Sequence, residues 1–239
     1  MKEKTKLLDT LVERLKKTFG DKLVSVVLYG SAAVGDDHQR YSDLNVFCVL
    51  GRVTPRELED VEPVFRWWRE QGHPAPLVMS EQEVRTSTDC FPIEFHDMKD
   101  RRRVLHGADV VEGLEIDDSF YRAQVEYQLR AKLLRLRQKG AGVLHDKELL
   151  VHLMADSVST FLVLGRHALR LHGAEAPVAK RDVLSRIEGQ FGLRADPFTT
   201  LLELREEKRK PKEVDARALY GQYLEGVEVL VAAVDRLAK

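Results

Sequence analysis

With 239 residues, the chain can hold one large domain or two small ones, each able to bury its own core. Its 38 basic and 39 acidic residues leave a formal net charge of -1, which excludes a global field drawing it to nucleic acid or an anionic membrane. Two cysteines, Cys48 in an apolar run and Cys90 in an expected loop, exclude a disulfide framework and lack metal-ligand spacing.

Leu7, Leu8, Leu11, Val12 and Leu15 recur at helical spacing ahead of Gly20, which predicts a first helix ending there. That stretch is charged throughout and lacks the apolar core and cleavage site of a signal peptide. No segment is expected to reach the length of apolar run that spans a bilayer. The expectation is therefore a soluble protein of the cytoplasm. Leu23 to Tyr29 and Leu44 to Leu50 are short Val-rich runs bounded by Gly30 and Gly51, and both read as buried strands. Thr54-Pro55-Arg56-Glu57 is a capping box that opens a helix through Trp67 and Trp68, read as packing residues, to Gly72. A brief strand at Leu77 to Met79 leads into a second capping box, Ser80 to Glu83, over a short helix. Pro92 to His96 is the third candidate central strand.

From about Tyr121 the strand signals vanish. Val125, Leu129, Leu133 and Leu136 form one helical stripe; Leu150, Leu153, Ser157, Phe161, Leu164 and Ala168 form another, ending at Gly173. Asp196-Pro197 opens a further helix, and Leu219 to Leu237 closes the chain. The acidic, Gly-bearing segment from Gly107 to Asp118 reads as the boundary. The expected fold class is α+β: a mixed-sheet α/β domain over 1–115, then an all-α bundle of roughly five helices over 116–239.

The chemistry concentrates where the first two strands face each other. Residues two apart in a strand share a face, so Asp43 and Asn45 should project together as oxygen ligands. Gly30-Ser31 ends the preceding strand, and Ala32, Ala33 and Val34 can begin a helix, an arrangement that offers backbone N–H groups to a phosphate. Glu94 is expected in mid-strand between Ile93 and Phe95, where a carboxylate is costly unless paired or holding a metal. Phosphate donors, hard oxygen ligands and a lone acid together describe magnesium-assisted phosphoryl or nucleotidyl chemistry.

Each feature also has an ordinary counterpart. Gly30-Ser31 can be a strand-to-helix turn with a serine cap, Asp43 and Asn45 a solvated Asx turn, and Glu94 a surface residue on an edge strand. His96 should share the Glu94 face, and His38 lies in a loop expected to overhang a nucleotide; solvation explains both adequately. Lys99, Arg101, Arg102 and Arg103 form the strongest basic cluster, with a solvated face as its ordinary reading. Arg166 and His172 flank five residues, a spacing similar to that of the HEPN ribonucleases. Six positions on a helix turn through about 240°, so the two should not converge, and His172 beside Gly173 is better read as favoured by the negative helix end. Glu126 and Arg130 are spaced for a helix ion pair.

Gly30-Ser31, then Ser42-Asp43-Leu44-Asn45, then the isolated Glu94 resembles the nucleotidyltransferase core of the DNA polymerase β superfamily. The likeness is to its small bacterial members, aminoglycoside nucleotidyltransferases among them, and the helical half is similar to the bundle with which such enzymes hold their acceptor. The resemblance implies transfer of a nucleoside monophosphate from a triphosphate, ATP by expectation, to a hydroxyl of a small molecule or protein. Gly30 and Ser31 would grip the triphosphate, Asp43 would ligate Mg2+, and Glu94 would complete the metal set and accept the proton of the attacking hydroxyl. Asn45 stands where the family has a second aspartate. Its amide oxygen can ligate but is neutral, so Mg2+ affinity should fall, and an impaired enzyme serving as a nucleotide-binding regulator is the alternative. An aminoglycoside-like acceptor calls for an acidic cleft; the sequence leaves the acceptor and a homodimeric state open.

Overall fold

The computed structural model describes residues 2–34 and 44–237, which form two compact units, one ending at Phe120 and the other beginning at Tyr121. The order of elements makes the protein α+β, with a mixed sheet in the first unit and helices in the second.

In the first unit, α1 (Lys2–Phe19) turns through Gly20–Lys22 into β1 (Leu23–Tyr29), and Ser31–Val34 forms a short 3-10 turn. Then come β2 (Asn45–Leu50), α2 (Pro55–Glu70), β3 (Leu77–Ser80), α3 (Glu81–Thr86), α4 (Pro92–Asp100) and β4 (Arg102–Gly107). The sheet order is β3-β2-β1-β4, with β1 antiparallel to both its neighbours and β2 parallel to β3.

Alternation along β1 and β2 divides the apolar side chains between two cores, because neighbouring strand residues face opposite sides. Val26, Leu28, Leu44, Val46, Cys48 and Leu50 pack with Leu8, Leu11 and Leu15 of α1 and Val61 and Trp68 of α2. On the opposite face, Val27, Phe47 and Val49 meet Val84 of α3 and Phe95 and Met98 of α4. Trp68 is completely buried and its indole N–H donates to the Pro74 carbonyl at 2.9 Å, so the polar edge is satisfied as the rings pack. Trp67 lies under the Arg14 guanidinium, 4.1 Å from the ring centroid. Both tryptophans are packing residues, as their place after a capping box suggested.

The caps take the expected form. Glu57 accepts from the Thr54 N–H at 3.2 Å and from the Thr54 hydroxyl, while its other oxygen accepts from Lys22 Nζ at 2.7 Å. In the second box, the Glu83 N–H donates to Ser80 Oγ at 3.2 Å and Glu83 Oε2 accepts from the Ser80 N–H at 2.6 Å.

Two assignments change. Pro92–His96 is not a strand: it opens α4, in which Pro92, Phe95, His96 and Met98 are buried. The Ile93–Glu94–Phe95 alternation imitates a strand, but burial at 92, 95, 96 and 98 follows the helical period, and Pro92 sits in the first turn, where its missing N–H costs nothing. The third strand beside β1 is instead β4, disguised in the sequence by Arg101-Arg102-Arg103. It is an edge strand, where charged side chains are in place.

The second unit contains α5 (Tyr121–Ala141), α6 (Lys147–Leu171), α7 (Lys180–Phe191), α8 (Asp196–Arg205) and α9 (Ala216–Asp235). α6 packs against the other four helices of this unit. Its buried residues therefore spread around the helix, from Leu150 and Val151 through Phe161 and Leu162 to Ala168 and Leu169. By length and composition it is apolar enough to cross a membrane, contrary to the expectation that no segment reaches that mark, but burial among its neighbours already accounts for that composition. Tyr223 of α9 is fully buried, with Phe161 and Phe198 set edge-on to it at ring-centroid distances of 5.9 and 5.0 Å. At the end of α6, His172 Nδ1 donates to the Ala168 carbonyl at 2.9 Å, the helix-end role read from its position. Arg166 is buried, and burial, with the Arg170 charge second, lowers its guanidinium to about 10. Glu126 bridges Arg122 at 2.7 Å and Arg130 at 2.8 Å along α5.

Candidate functional site

The polar edge of the first unit's sheet is a row of cross-strand partners. Tyr29 ends β1 and pairs with Asn45 at the start of β2 on one side and with Arg102 at the start of β4 on the other. Directly opposed residues share a face, so all three belong to the face covered by α3 and α4. Leu44 and Val46 take the other face and are buried there, which leaves Asn45 on the opposite face of the sheet. Asp43, Ser42 and His38 lie outside the described residues.

Gly30 makes this edge sterically workable. Its φ is +77°, and a β-carbon there would stand 3.3 Å from Asn45 Nδ2, so the backbone turn and the asparagine amide occupy adjoining space. Its N–H donates to the Arg101 carbonyl at 3.1 Å, and its carbonyl accepts from the Ala33 N–H at 3.1 Å. Gly30 thus serves through conformation and close approach, its own donor being committed within the protein. Ser31 begins a 3-10 turn of four residues rather than the start of a long helix, so the expected helix-end dipole is small.

Glu94 reaches the same neighbourhood by a different route from the one expected. It projects from the first turn of α4 and is half-buried. Burial, and secondly the Glu94 charge, raise the phenol of Tyr29 at the end of β1 above its usual value. Tyr29 is the site residue that sequence reasoning missed. It reads as the last apolar residue of a strand, and only the packing of α4 on the sheet brings a carboxylate to it.

The basic cluster is built into the fold. Arg102 Nε donates to both Asp109 oxygens at 2.9 and 2.8 Å, Lys99 Nζ donates to the Leu114 carbonyl at 2.6 Å, and Arg101 is buried. The reading of a solvated face holds for Lys99 and Arg103, which are exposed, and is corrected for Arg101, which is buried, and for Arg102, over which the chain folds back at Asp109. His96 is also not solvated. Being on a helix, it turns away from Glu94 into the core, and its Nε2 meets Asp118 Oδ1 at 2.7 Å.

Near the end of β1 the described residues include the Asn45 amide, Glu94, and Asp109 paired with Arg102; among them there is no group of three His, Cys, Asp or Glu that could hold a metal.

No protein-family model and no curated protein matches the sequence. Among solved structures, spectinomycin adenyltransferase AAD(9) from Enterococcus faecialis, crystallised with ATP and spectinomycin, matches with a TM-score of 0.60. The match covers 92% of this chain and 98% of that one at 12% sequence identity. The chain shares its fold with that adenyltransferase. At that identity the likeness speaks for architecture, and it takes in the helices as well as the sheet.

Proposed function

We propose that the protein transfers a nucleoside monophosphate from a nucleoside triphosphate, ATP by preference, to a hydroxyl of a small molecule, aminoglycoside-like in kind, or of a protein. The observation carrying this reading is the fold shared with an adenyltransferase crystallised with ATP, supported by the close approach of Gly30 and Asn45 at the end of β1 and by the Glu94 charge felt at Tyr29 beside them. In this account Gly30 and Ser31 shape the phosphate-binding turn. The acceptor oxygen attacks the α-phosphorus in line, a new P–O bond forms, the bond to the bridging oxygen breaks, and pyrophosphate leaves. The hydroxyl proton passes to Glu94. Mg2+ would be held by Asp43, Asn45 and Glu94 and would supply neutralisation of phosphate charge when bound. The setting is the cytoplasm.

A second reading follows from Asn45 itself. A neutral amide in place of a carboxylate removes one full negative charge from a site meant for dications, and so favours a nucleotide-binding regulator with little or no turnover. Pyrophosphate release separates the two readings. The enzyme reading expects magnesium-dependent release with one triphosphate and an acceptor from a broad hydroxyl panel, abolished by Glu94→Gln. Silence across the panel, with turnover appearing in Asn45→Asp, selects the regulator.

A further inference from the structure

Within the helical unit, a groove of about 210 Å³ runs between α5 and α6. Its floor is apolar, formed by Leu136, Leu153 and Phe161. One rim carries Lys132, Arg135 and Lys139, all exposed and spaced three and four residues apart, so they lie along one side of α5. The other rim presents Asp156, Ser157 and Thr160 of α6.

The three cations differ from the other arginines of their helix. Arg122 and Arg130 are engaged by Glu126, and Arg137 pairs with Glu228 at 2.6 Å. Lys132, Arg135 and Lys139 take part in no ion pair among the described residues, although each borders the same groove. Opposite them, the single carboxylate, Asp156, faces His152 at 3.2 Å. Three positive charges against one negative, above an apolar floor, make a surface complementary to an anion with a hydrocarbon part. The volume lies below the ~300–1,000 Å³ typical of drug-sized ligand sites, which points to a small occupant rather than a nucleotide.

We infer that this groove binds a small amphiphilic anion, its acidic head against Lys132, Arg135 and Lys139 and its hydrocarbon body on Leu136, Leu153 and Phe161. The site is independent of the nucleotidyltransferase reading, and a cationic acceptor of the spectinomycin type would be repelled from it.

The test uses the full chain and octanoate, followed by backbone and methyl NMR, with octan-1-ol and octylammonium as neutral and cationic controls and phosphatidylglycerol vesicles as a membrane control. Octanoate is expected to move the resonances of Leu136, Leu153 and the α5 rim and to bind more tightly than either control. Replacing all three cations by Gln should weaken octanoate by about tenfold, and because they are exposed the thermal midpoint should hold. Thr160→Trp keeps the charges but fills the groove, and should also abolish binding. Equal binding of octanol and octanoate, preference for octylammonium, resonance changes elsewhere, or attachment only to vesicles would each overturn the proposal.

Discussion

The side-chain amide of Asn45 packs against the backbone of Gly30, so closely that a β-carbon on the glycine would lie 3.3 Å from Asn45 Nδ2. The turn at the end of β1 and the start of β2 are therefore one steric unit. Gly30→Ala forces a side chain into left-handed backbone at φ +77°, at a cost of about 1–2 kcal/mol, and also presses on Asn45. A lower urea midpoint together with weakened triphosphate binding is expected from denaturation and calorimetry on the variant. Unchanged values in both would show that the turn does not position the amide.

Tyr29 reports on whether Glu94 reaches the site. Burial is the larger cause of its raised phenol and the Glu94 charge the second, so Glu94→Gln should lower the Tyr29 midpoint without restoring the ordinary value. Ring-labelled tyrosine NMR across alkaline pH measures it directly. A midpoint that does not move would detach Glu94 from the end of β1.

Acid should unfasten the α2 cap. Lys22 first, then Thr54, hold the Glu57 carboxyl down at about 2. Because the folded value lies below the unfolded one of about 4.5, Glu57 stabilises the fold fully above that pH and loses this contribution as pH falls toward 2. The stability gap between the native protein and Glu57→Gln should thus be constant from neutral pH to about 5 and close below 4.5. A gap independent of pH down to 2 would contradict the cap geometry.

The thiols should separate cleanly. Cys48 is buried between sheet and helices, and that burial pushes it up to about 12, whereas Cys90 is exposed, its thiol raised by a hydrogen bond to Asp89. Ellman titration of the native protein should modify Cys90 alone, faster as pH rises, with Cys48 reacting only on unfolding. Equal reactivity of both in the native state would mean the core is open.

Much of this architecture was legible in the sequence because it rests on local signals. The Val-rich runs bounded by Gly30 and Gly51 became β1 and β2, and two capping boxes set the starts of α2 and α3. The sequence around Glu94 reads as a strand, since Ile93 and Phe95 alternate around it; the helical placement depends on Phe95 and Met98 packing with Phe47 and Val49, distant in the chain. β4 was hidden for a complementary reason. Its arginines read as a solvated run, and only the return of the chain past Asp109 gives Arg102 a partner. Tyr29 lay beyond reach because its significance comes from a helix more than sixty residues later in the chain.

The central claim is that this sheet edge still holds a triphosphate, with Asn45 weakening its grip on the metal. Isothermal calorimetry with magnesium and each nucleoside triphosphate, on the protein and on Asn45→Asp, tests it most directly. The account predicts that at least one triphosphate binds the native protein and that the aspartate variant takes up magnesium more tightly. Heat signals absent from both proteins with every triphosphate would contradict it.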